Sequence, residues 1–324
     1  MKVDSGVFDR RFSYCLILPL VLIFSSLNGQ SAKSLHYYFD NDLLYFPRNN
    51  DRDYTFGMGM GITGTRKTHA PARRETLSLM GDLRLYTPDN LRATRILHRD
   101  RPYASLFSLT VNRTSFFPEK GLILRHSLEA GVLGLFLARE VQSSAHALSR
   151  TVTGKEYPYE PMGWGNQISA GGEPTLRYSF ETEQQIPFLT WRSIHKPGKE
   201  YFALNASGGL DLGYLTRVSA GLSARLGAFQ PMGNFSRKRE FFFQCRYQAF
   251  VYGYNALLQG QFRPSAHTLT YEDLHPLVRQ WEAGFTWHHK WFSTSYLLIH
   301  RSAEMRNTNH PHHYYGRWTM TFQL

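Results

Sequence analysis

The chain has 324 residues, a formal net charge of +12 at pH 7 and a mean hydropathy of −0.39. This mean hydropathy is low for a protein that crosses a membrane with helices. It is ordinary for a β-barrel, in which only every second strand residue meets lipid. The chain has two cysteines, Cys15 and Cys245, and Cys15 lies in a predicted export signal. We therefore expect neither an internal disulfide nor a thiolate metal site.

The first thirty residues have the pattern of a secretory signal peptide. Arg10 and Arg11 precede an apolar core at 14–24, and small residues follow at 25–29. The apolar core is short for a membrane-spanning helix. We predict a cleaved signal peptide at 1–29 and an outer-membrane β-barrel domain at 30–324, with an uncleaved anchor as the alternative.

The rest of the chain repeatedly alternates apolar residues with small or polar ones. In 216–229, for example, Val218, Leu222 and Leu226 share one face of a strand, and Arg217 and Arg225 share the other. Such strands after an export signal predict an all-β fold, a transmembrane antiparallel β-barrel of about twelve strands with a short helix in an inserted loop. The predicted strands are 34–42, 54–64, 75–86, 103–113, 121–135, 174–191, 200–214, 217–229, 240–254, 279–291, 293–302 and 314–324.

The positive charge is scattered along these strands and loops, and no helix–turn–helix or zinc pattern accompanies it. Export also separates the chain from cytoplasmic nucleic acid, so we expect no nucleic-acid partner. Anionic lipid headgroups or sugar phosphates at the cell surface are better matched to this charge.

The end of the first predicted strand carries Asp40, Asn41 and Asp42. Carboxylate and amide oxygens suit a hard cation such as calcium. The alternative is local hydrogen bonding, because these residue types also collect at strand ends and turns. If Phe39 faces lipid, strict alternation places Asn41 outside and Asp42 inside. Both residues can then serve one site only if the strand bends or ends near residue 41.

The second predicted strand places Thr55 on one face with Gly57, Gly59 and Gly61. Because the opposite face is apolar and must meet lipid, the sequence predicts that Thr55 points into the barrel. Three glycines on one face indicate that another group packs closely there. Relief of crowding in a narrow barrel is the alternative explanation.

The segment 139–150 breaks the strand alternation and predicts the short helix. Gln142 and His146 are four residues apart, so they lie on one face of that helix. Histidine is the usual general base near neutral pH. A structural or merely exposed histidine is the alternative.

An ordered set of motifs over residues 35–177 resembles the lipid A 3′-O-deacylase family of Gram-negative outer membranes. Ser105 stands where the family continues with glycine, and Gly134-Leu135 stands where Gly-Pro is usual. The matching runs are Phe39-Asp40-Asn41-Asp42, Asp53-Tyr54-Thr55-Phe56-Gly57, Leu85-Tyr86-Thr87-Pro88, Asp100-Arg101-Pro102-Tyr103-Ala104, Gly131-Val132-Leu133-Gly134, Glu140-Val141-Gln142-Ser143-Ser144-Ala145-His146, and Gly163-Trp164-Gly165-Asn166-Gln167 before Glu173-Pro174.

The resemblance implies a twelve-stranded barrel that removes the 3′-O-linked acyl chain, with its secondary chain, from lipid A and needs calcium. It implies that Asn41 and Asp42 lie at the calcium and active site, that Thr55 and Gln142 belong to the site, and that His146 is the catalytic base acting on water. Basic loop residues, represented by Arg92 and Lys155, are the predicted contacts of the substrate phosphates.

Expected partners are lipid A or lipopolysaccharide in the outer leaflet of a Gram-negative outer membrane, and a monomer is expected. Two other functions stay open at this point. One is a passive barrel, a porin or adhesin, in which Arg217 and Arg225 would influence anion passage. The other is a phospholipid hydrolase, which the same calcium and histidine chemistry would also serve.

Overall fold

A computed structural model of the chain describes residues 32–45, 53–67, 73–92, 94, 100–154, 158–192, 198–233, 239–306, 308 and 311–324. The predicted signal peptide, 1–29, and Lys155 lie outside these residues.

The described residues form thirteen strands and two α-helices. Helix α1 is Leu137–Thr153 and helix α2 is Ala256–Gln259. The strands are β1 (Ala32–Asn41), β2 (Asp53–Lys67), β3 (Arg74–Thr87), β4 (Ala104–Phe117), β5 (Leu122–Leu133), β6 (Glu173–Gln185), β7 (Trp191–Arg192), β8 (Glu200–Gly213), β9 (Leu215–Phe229), β10 (Glu240–Asn255), β11 (Leu277–His289), β12 (Phe292–Ser302) and β13 (His312–Gln323).

Twelve of these strands close into an antiparallel barrel. Each pairs with its neighbour along the chain, β6 pairs with β8, and β1 pairs with β13 to complete the ring. The two-residue β7 is an addition at the edge of β8. The predicted barrel is confirmed, but the predicted strand 174–191 is too long. It ends at Gln185, just before Pro187 starts a short 3₁₀ helix, because proline lacks the N–H that a continued ladder needs.

The two ends of the barrel differ. Lys33 accepts a hydrogen bond from the Leu324 amide at 2.8 Å, so both termini of the barrel lie at one end, called here the turn end. The opposite end, called the loop end, is where β1 finishes at Asn41 and where the connections carrying α1 and α2 lie. Among the described residues, no helix is long and apolar enough to cross a membrane.

The predicted alternation gives the barrel an apolar outer wall and a polar lumen. On β9, Val218, Leu222 and Leu226 are 50%, 50% and 57% exposed on the outer wall. Arg217 and Arg225 line cavities in the lumen instead. An apolar exterior and a polar interior are what a membrane-spanning barrel requires.

Side chains fill much of the lumen. At the loop end, Tyr54, Tyr86, Phe250 and Tyr315 belong to one buried cluster. Below it, ion pairs on the lumen side join opposite residues of neighbouring strands, among them Arg177–Glu129 at 2.5 Å, Arg217–Asp211 at 2.7 Å and Arg317–Asp40 at 2.7 Å. Within the described lumen, cavities of about 520 and 410 Å³ lie between these side chains. Such a filled interior is typical of barrels of this small diameter.

The glycine row of β2 accommodates two tyrosine rings in the lumen. A Cβ at Gly57 would lie 1.8 Å from Tyr54 Oη, and one at Gly59 would lie 2.2 Å from Tyr38 Cε1. Tyr54 Oη also donates a 2.8 Å hydrogen bond to Asp40. The prediction that another group packs closely on the glycine face is confirmed.

Replacing Gly57 by alanine should therefore destabilise the barrel by about 1–3 kcal/mol, because the new methyl group displaces the buried Tyr54 ring. Gly208→Ala is the matched control, since its added Cβ would meet nothing closer than 3.8 Å. Urea unfolding, followed by the loss of the heat-modifiable band on a gel, measures both. Equal unfolding midpoints for the two variants would contradict the close packing of Tyr54 on Gly57.

Candidate active site

The end of β1 turns outward over the barrel wall. The side chain of Asn41 accepts a 2.8 Å hydrogen bond from the Leu43 amide and so caps the short 3₁₀ helix Asp42–Leu44. Leu44 then packs over Gly316, where a Cβ would lie 2.5 Å from Leu44 Cβ. Because Tyr315 and Arg317 face the lumen, Gly316 faces outward. The strand therefore ends at Asn41. This meets the condition under which Asn41 and Asp42 can belong to one site.

Thr55 does not point into the barrel, so that prediction is wrong. The pairing of β2 with β3 is irregular between Tyr54 and Phe56, and this bulge shifts the face of the preceding residues by one position. Tyr54 consequently occupies the lumen. Thr55 hydrogen-bonds Thr87 at 2.6 Å between their hydroxyl oxygens. Thr87 follows Leu83 and Leu85 on the outward face of β3, so Thr55 lies on the outer wall.

The bulge brings Thr55 to the end of β1. Asn41 Nδ2 donates to the Thr55 carbonyl oxygen at 3.2 Å, and Thr55, Asn41 and Asp42 are all at least nine-tenths buried. Asp42 Oδ1 accepts a 2.8 Å bond from the Leu43 amide. The first set of site residues is thus tied together by hydrogen bonds on the outside of the wall.

Helix α1 covers this part of the outer wall. Its buried residues are Ala138, Gln142 and His146, each four positions after the last, so one face of the helix packs inward. Ala138 shares an apolar cluster with Leu83, Leu85 and Trp164, against which Phe56 and Met58 also pack. The predicted helix and the shared face of Gln142 and His146 are confirmed. The helix ends at Thr153 and is capped by Gly154, which has a φ of +65° and donates its N–H to the Arg150 carbonyl oxygen at 2.9 Å.

A backbone carbonyl sets the tautomer of His146. His146 Nδ1 lies 2.7 Å from the carbonyl oxygen of Tyr159. A carbonyl oxygen only accepts, so Nδ1 carries the proton and Nε2 of the neutral ring is left with a lone pair. This arrangement gives His146 the form that a general base requires.

The loop that supplies this carbonyl is held from two sides. Arg150 donates to the Pro158 carbonyl at 2.7 Å, and the Arg92 guanidinium lies 3.5 Å above the ring of Tyr159. The Met162 amide donates to the Leu91 carbonyl at 2.8 Å, which joins this loop to the β3–β4 connection. Arg92, a predicted substrate contact, is exposed and lies beside the loop that orients His146.

Gln142 has a buried amide nitrogen with no described acceptor. Its Oε1 accepts a 2.9 Å hydrogen bond from Trp164 Nε1, which fixes the orientation of the amide. Its Nε2 is buried, and no described residue accepts a hydrogen bond from it. A buried donor without an acceptor is costly, so this nitrogen is suited to an acceptor on a bound ligand.

The atoms on the outer wall that could coordinate a cation are all oxygens. They comprise the Asp42 carboxylate, the Asn41 amide oxygen, the carbonyl and hydroxyl of Thr55, and the hydroxyl of Thr87. In the part of the chain that the structure describes, no group of three or more His, Cys, Asp or Glu side chains could hold a metal ion. One carboxylate with neutral oxygens fits a hard cation such as calcium and does not fit a soft transition metal.

The predicted site residues therefore lie in two sets, and the apolar cluster around Trp164 packs between helix α1 and the barrel wall. Asn41, Asp42 and Thr55 form one set, and Gln142 and His146 form the other. Sequence reasoning gave no role to Thr87 or Trp164, although both stand in the motifs that carried the resemblance. The Tyr159 carbonyl had no sequence signal, because a backbone oxygen can come from any residue.

Comparison with known proteins identifies the family of the chain. A sequence model described as outer membrane protein LpxR matches residues 14–324. The chain belongs to the LpxR family. No curated protein matches the sequence significantly. The family resemblance that the ordered motifs indicated is thereby confirmed.

One solved structure supports the fold. LpxR from Salmonella typhimurium has a TM-score of 0.72 and 18% identity, covering 89% of this chain and 99% of that chain. The β domain of the Bordetella autotransporter Brka has a TM-score of 0.47 and 9% identity, covering 90% and 99% of the two chains. As an LpxR-family barrel, the protein resides in the outer membrane. Its loop end is extracellular, since short turns of such barrels face the periplasm.

Proposed function

We propose that the protein is a calcium-dependent esterase that removes the 3′-O-linked acyl chain, with its secondary chain, from lipid A. One observation carries the proposal: the base-competent His146 and the oxygen cluster at Asp42 lie on the outer wall at the extracellular end. A lipid in the outer leaflet reaches this wall directly, whereas a solute passing through the lumen does not. LpxR-family membership supports the same substrate class.

His146 acts on water in the proposed reaction. Its Nε2 takes a proton from a water molecule whose oxygen forms a bond to the ester carbonyl carbon. The bond from that carbon to the 3′ oxygen of the sugar then breaks, and the imidazolium returns its proton to the departing oxygen. The Tyr159 carbonyl holds Nδ1–H throughout, so the ring keeps its orientation.

The remaining site residues have supporting roles. Gln142 Nε2 donates to the carbonyl oxygen as negative charge develops there. Asp42 and Asn41 would hold the calcium ion, with Thr55 and Thr87 as neighbouring oxygens. Calcium, when bound, supplies positive charge that stabilises the developing negative charge on the substrate. Arg92 and Lys155 would contact the glucosamine phosphates.

A comparison of substrates tests the proposed function. The refolded protein is incubated with calcium and mixed micelles that contain either lipid A or a diacyl glycerophospholipid, and released acyl chains are quantified. We expect release from lipid A and little from the glycerophospholipid. Release from the glycerophospholipid alone would favour a phospholipase. A folded barrel that is inactive on both would favour a passive barrel.

Gln142→Met should lower kcat by about 10²–10³-fold with a smaller change in KM, because the lost donor acts mainly on the developing charge. Gln167→Met is the matched control. Gln167 is also a buried glutamine that accepts one hydrogen bond, from Ser105 at 2.9 Å, and has a buried Nε2 without a described acceptor. We expect the two variants to have similar unfolding midpoints, and only Gln142→Met to lose kcat. Equal losses of kcat would assign Gln142 a structural role.

A further inference from the structure

A pair of histidines lies on the outer wall at the extracellular end of the last hairpin. His300 on β12 is opposite Tyr314, and His312 is the first residue of β13. Their neighbours Arg301 and His313 face the lumen, where Arg301 contacts Tyr252 and His313 contacts the Tyr54 carbonyl. Strand alternation therefore puts His300 and His312 on the outer wall as diagonal neighbours.

The two rings approach each other through nitrogen atoms. His300 Nε2 and His312 Nδ1 are 3.1 Å apart, and the ring planes meet at 53°. Imidazole nitrogens bind Zn²⁺ at about 2.0–2.1 Å, so two nitrogens at this separation subtend roughly 100° at one shared ion. That angle lies between square-planar and tetrahedral geometry. Without metal, one ring donates a hydrogen bond to the other. Ion binding requires that ring to carry its proton on its other nitrogen, so that both facing nitrogens offer lone pairs.

Aromatic stacking holds His300 in place. Its ring lies 4.8 Å from the ring of Tyr314, with an angle of 18° between the planes. Tyr314 in turn lies 4.9 Å from the ring of Tyr45, which directly follows the 3₁₀ helix that contains Asp42. The stack orients one ligand in advance and connects the histidine pair to the active-site turn.

We propose that His300 and His312 form a second metal site that takes a borderline divalent ion such as Zn²⁺ or Cu²⁺. Imidazole ligands favour these ions, whereas calcium takes oxygen ligands, so the two sites of the protein differ in chemistry. His312 is exposed and His300 is partly buried, so the remaining coordination positions are supplied by solvent. The proposal does not depend on the deacylase reaction, because it rests on the histidine geometry alone.

Electron paramagnetic resonance during Cu²⁺ titration tests the site. The full barrel, without an affinity tag and in saturating calcium, is compared with His300→Ala and His312→Ala. We expect the wild type to show a copper signal with two imidazole nitrogens. Each substitution should raise the Kd by about tenfold or more, which corresponds to the loss of one strong ligand. His146→Ala protein in parallel removes any contribution of copper at the active site.

His126→Ala is the matched control. His126 is another exposed histidine of the strands, with its Nδ1 2.8 Å from Tyr178 Oη. It should bind copper like the wild type. Unchanged binding in both pair variants, or an equal loss in His126→Ala, would overturn the proposal and indicate adventitious binding elsewhere.

A stability measurement keeps the proposal testable if a variant folds poorly. Zn²⁺ should raise the apparent melting temperature of the wild type, because the ion binds the folded pair, whose members are twelve residues apart in the unfolded chain. The double substitution His300→Gln and His312→Gln should abolish that increase. An increase of the same size in the double variant would count against the site.

Discussion

Replacing His146 by alanine is expected to reduce the turnover of lipid A by about 10²–10⁴-fold, which is the usual contribution of a general base. The Tyr159 carbonyl accepts from Nδ1, so in the neutral ring the lone pair that would take a proton from water is on Nε2. Alanine removes that atom and leaves no other described histidine in the site. The measurement is the rate of acyl-chain release by the refolded variant in saturating calcium.

Tyr159→Phe is the matched control for this prediction. It removes a hydroxyl group from the residue that orients His146 but keeps the backbone carbonyl that accepts from Nδ1. We expect nearly wild-type turnover. A heat-modifiable band in both variants would show that each barrel has folded. Substantial activity in folded His146→Ala protein would rule out the assigned base.

Replacing Asp42 by asparagine is expected to raise the calcium concentration for half-maximal activity by at least about tenfold, since carboxylate charge strongly influences calcium affinity. Asparagine keeps an oxygen that can accept from the Leu43 amide, so the 3₁₀ helix should persist. The substitution therefore removes the carboxylate charge without disrupting the 3₁₀ helix. Acyl-chain release measured against buffered calcium gives the half-maximal concentration, and excess calcium should restore much of the activity.

Asp40→Asn provides the contrasting variant, two residues away on the lumen side. Asp40 is fully buried and pairs with Arg317 at 2.7 Å, so its neutralisation should lower the unfolding midpoint. It should leave the calcium dependence of activity unchanged. An unaltered calcium response in Asp42→Asn, or a shifted response in Asp40→Asn, would contradict the assignment of Asp42 as the calcium ligand.

The barrel could be predicted because its strands have a strict period of two. The apolar positions of β9 and β13 share the outer wall, and all twelve barrel strands follow from the same alternation. Strand ends were less predictable, because local features such as a proline end a strand without changing the alternation. Pro187 ends the ladder of β6 earlier than the predicted strand 174–191, while β7 is too short to leave a pattern.

The position of the site was predictable only in part. The spacing of Gln142 and His146 correctly placed both residues on one helix face. The same kind of reasoning failed at Thr55, because a one-residue bulge reverses the face of every residue before it, and alternation alone does not reveal a bulge. Alternation also could not show that the chain folds back outside the wall after Asn41, since that turn depends on Leu44 packing over Gly316.

The lumen holds the two arginines that a passive porin would use for anion passage. Arg217 and Arg225, candidates for anion passage in a porin, are engaged inside the barrel. Arg217 pairs with Asp211, and the guanidinium of Arg225 lies 4.7 Å from the centre of the Phe229 ring. These contacts engage both arginines in the interior of the barrel, whereas the proposed site lies on the outer wall.

Mass spectrometry of lipid A after incubation with the refolded protein tests whether the protein is a calcium-dependent lipid A 3′-O-deacylase. We expect calcium to produce one new lipid A species, lighter by the 3′ primary acyl chain together with its secondary chain, and a chelator to prevent its formation. Unchanged lipid A in calcium with a folded barrel, or loss of a chain from another position, would contradict it.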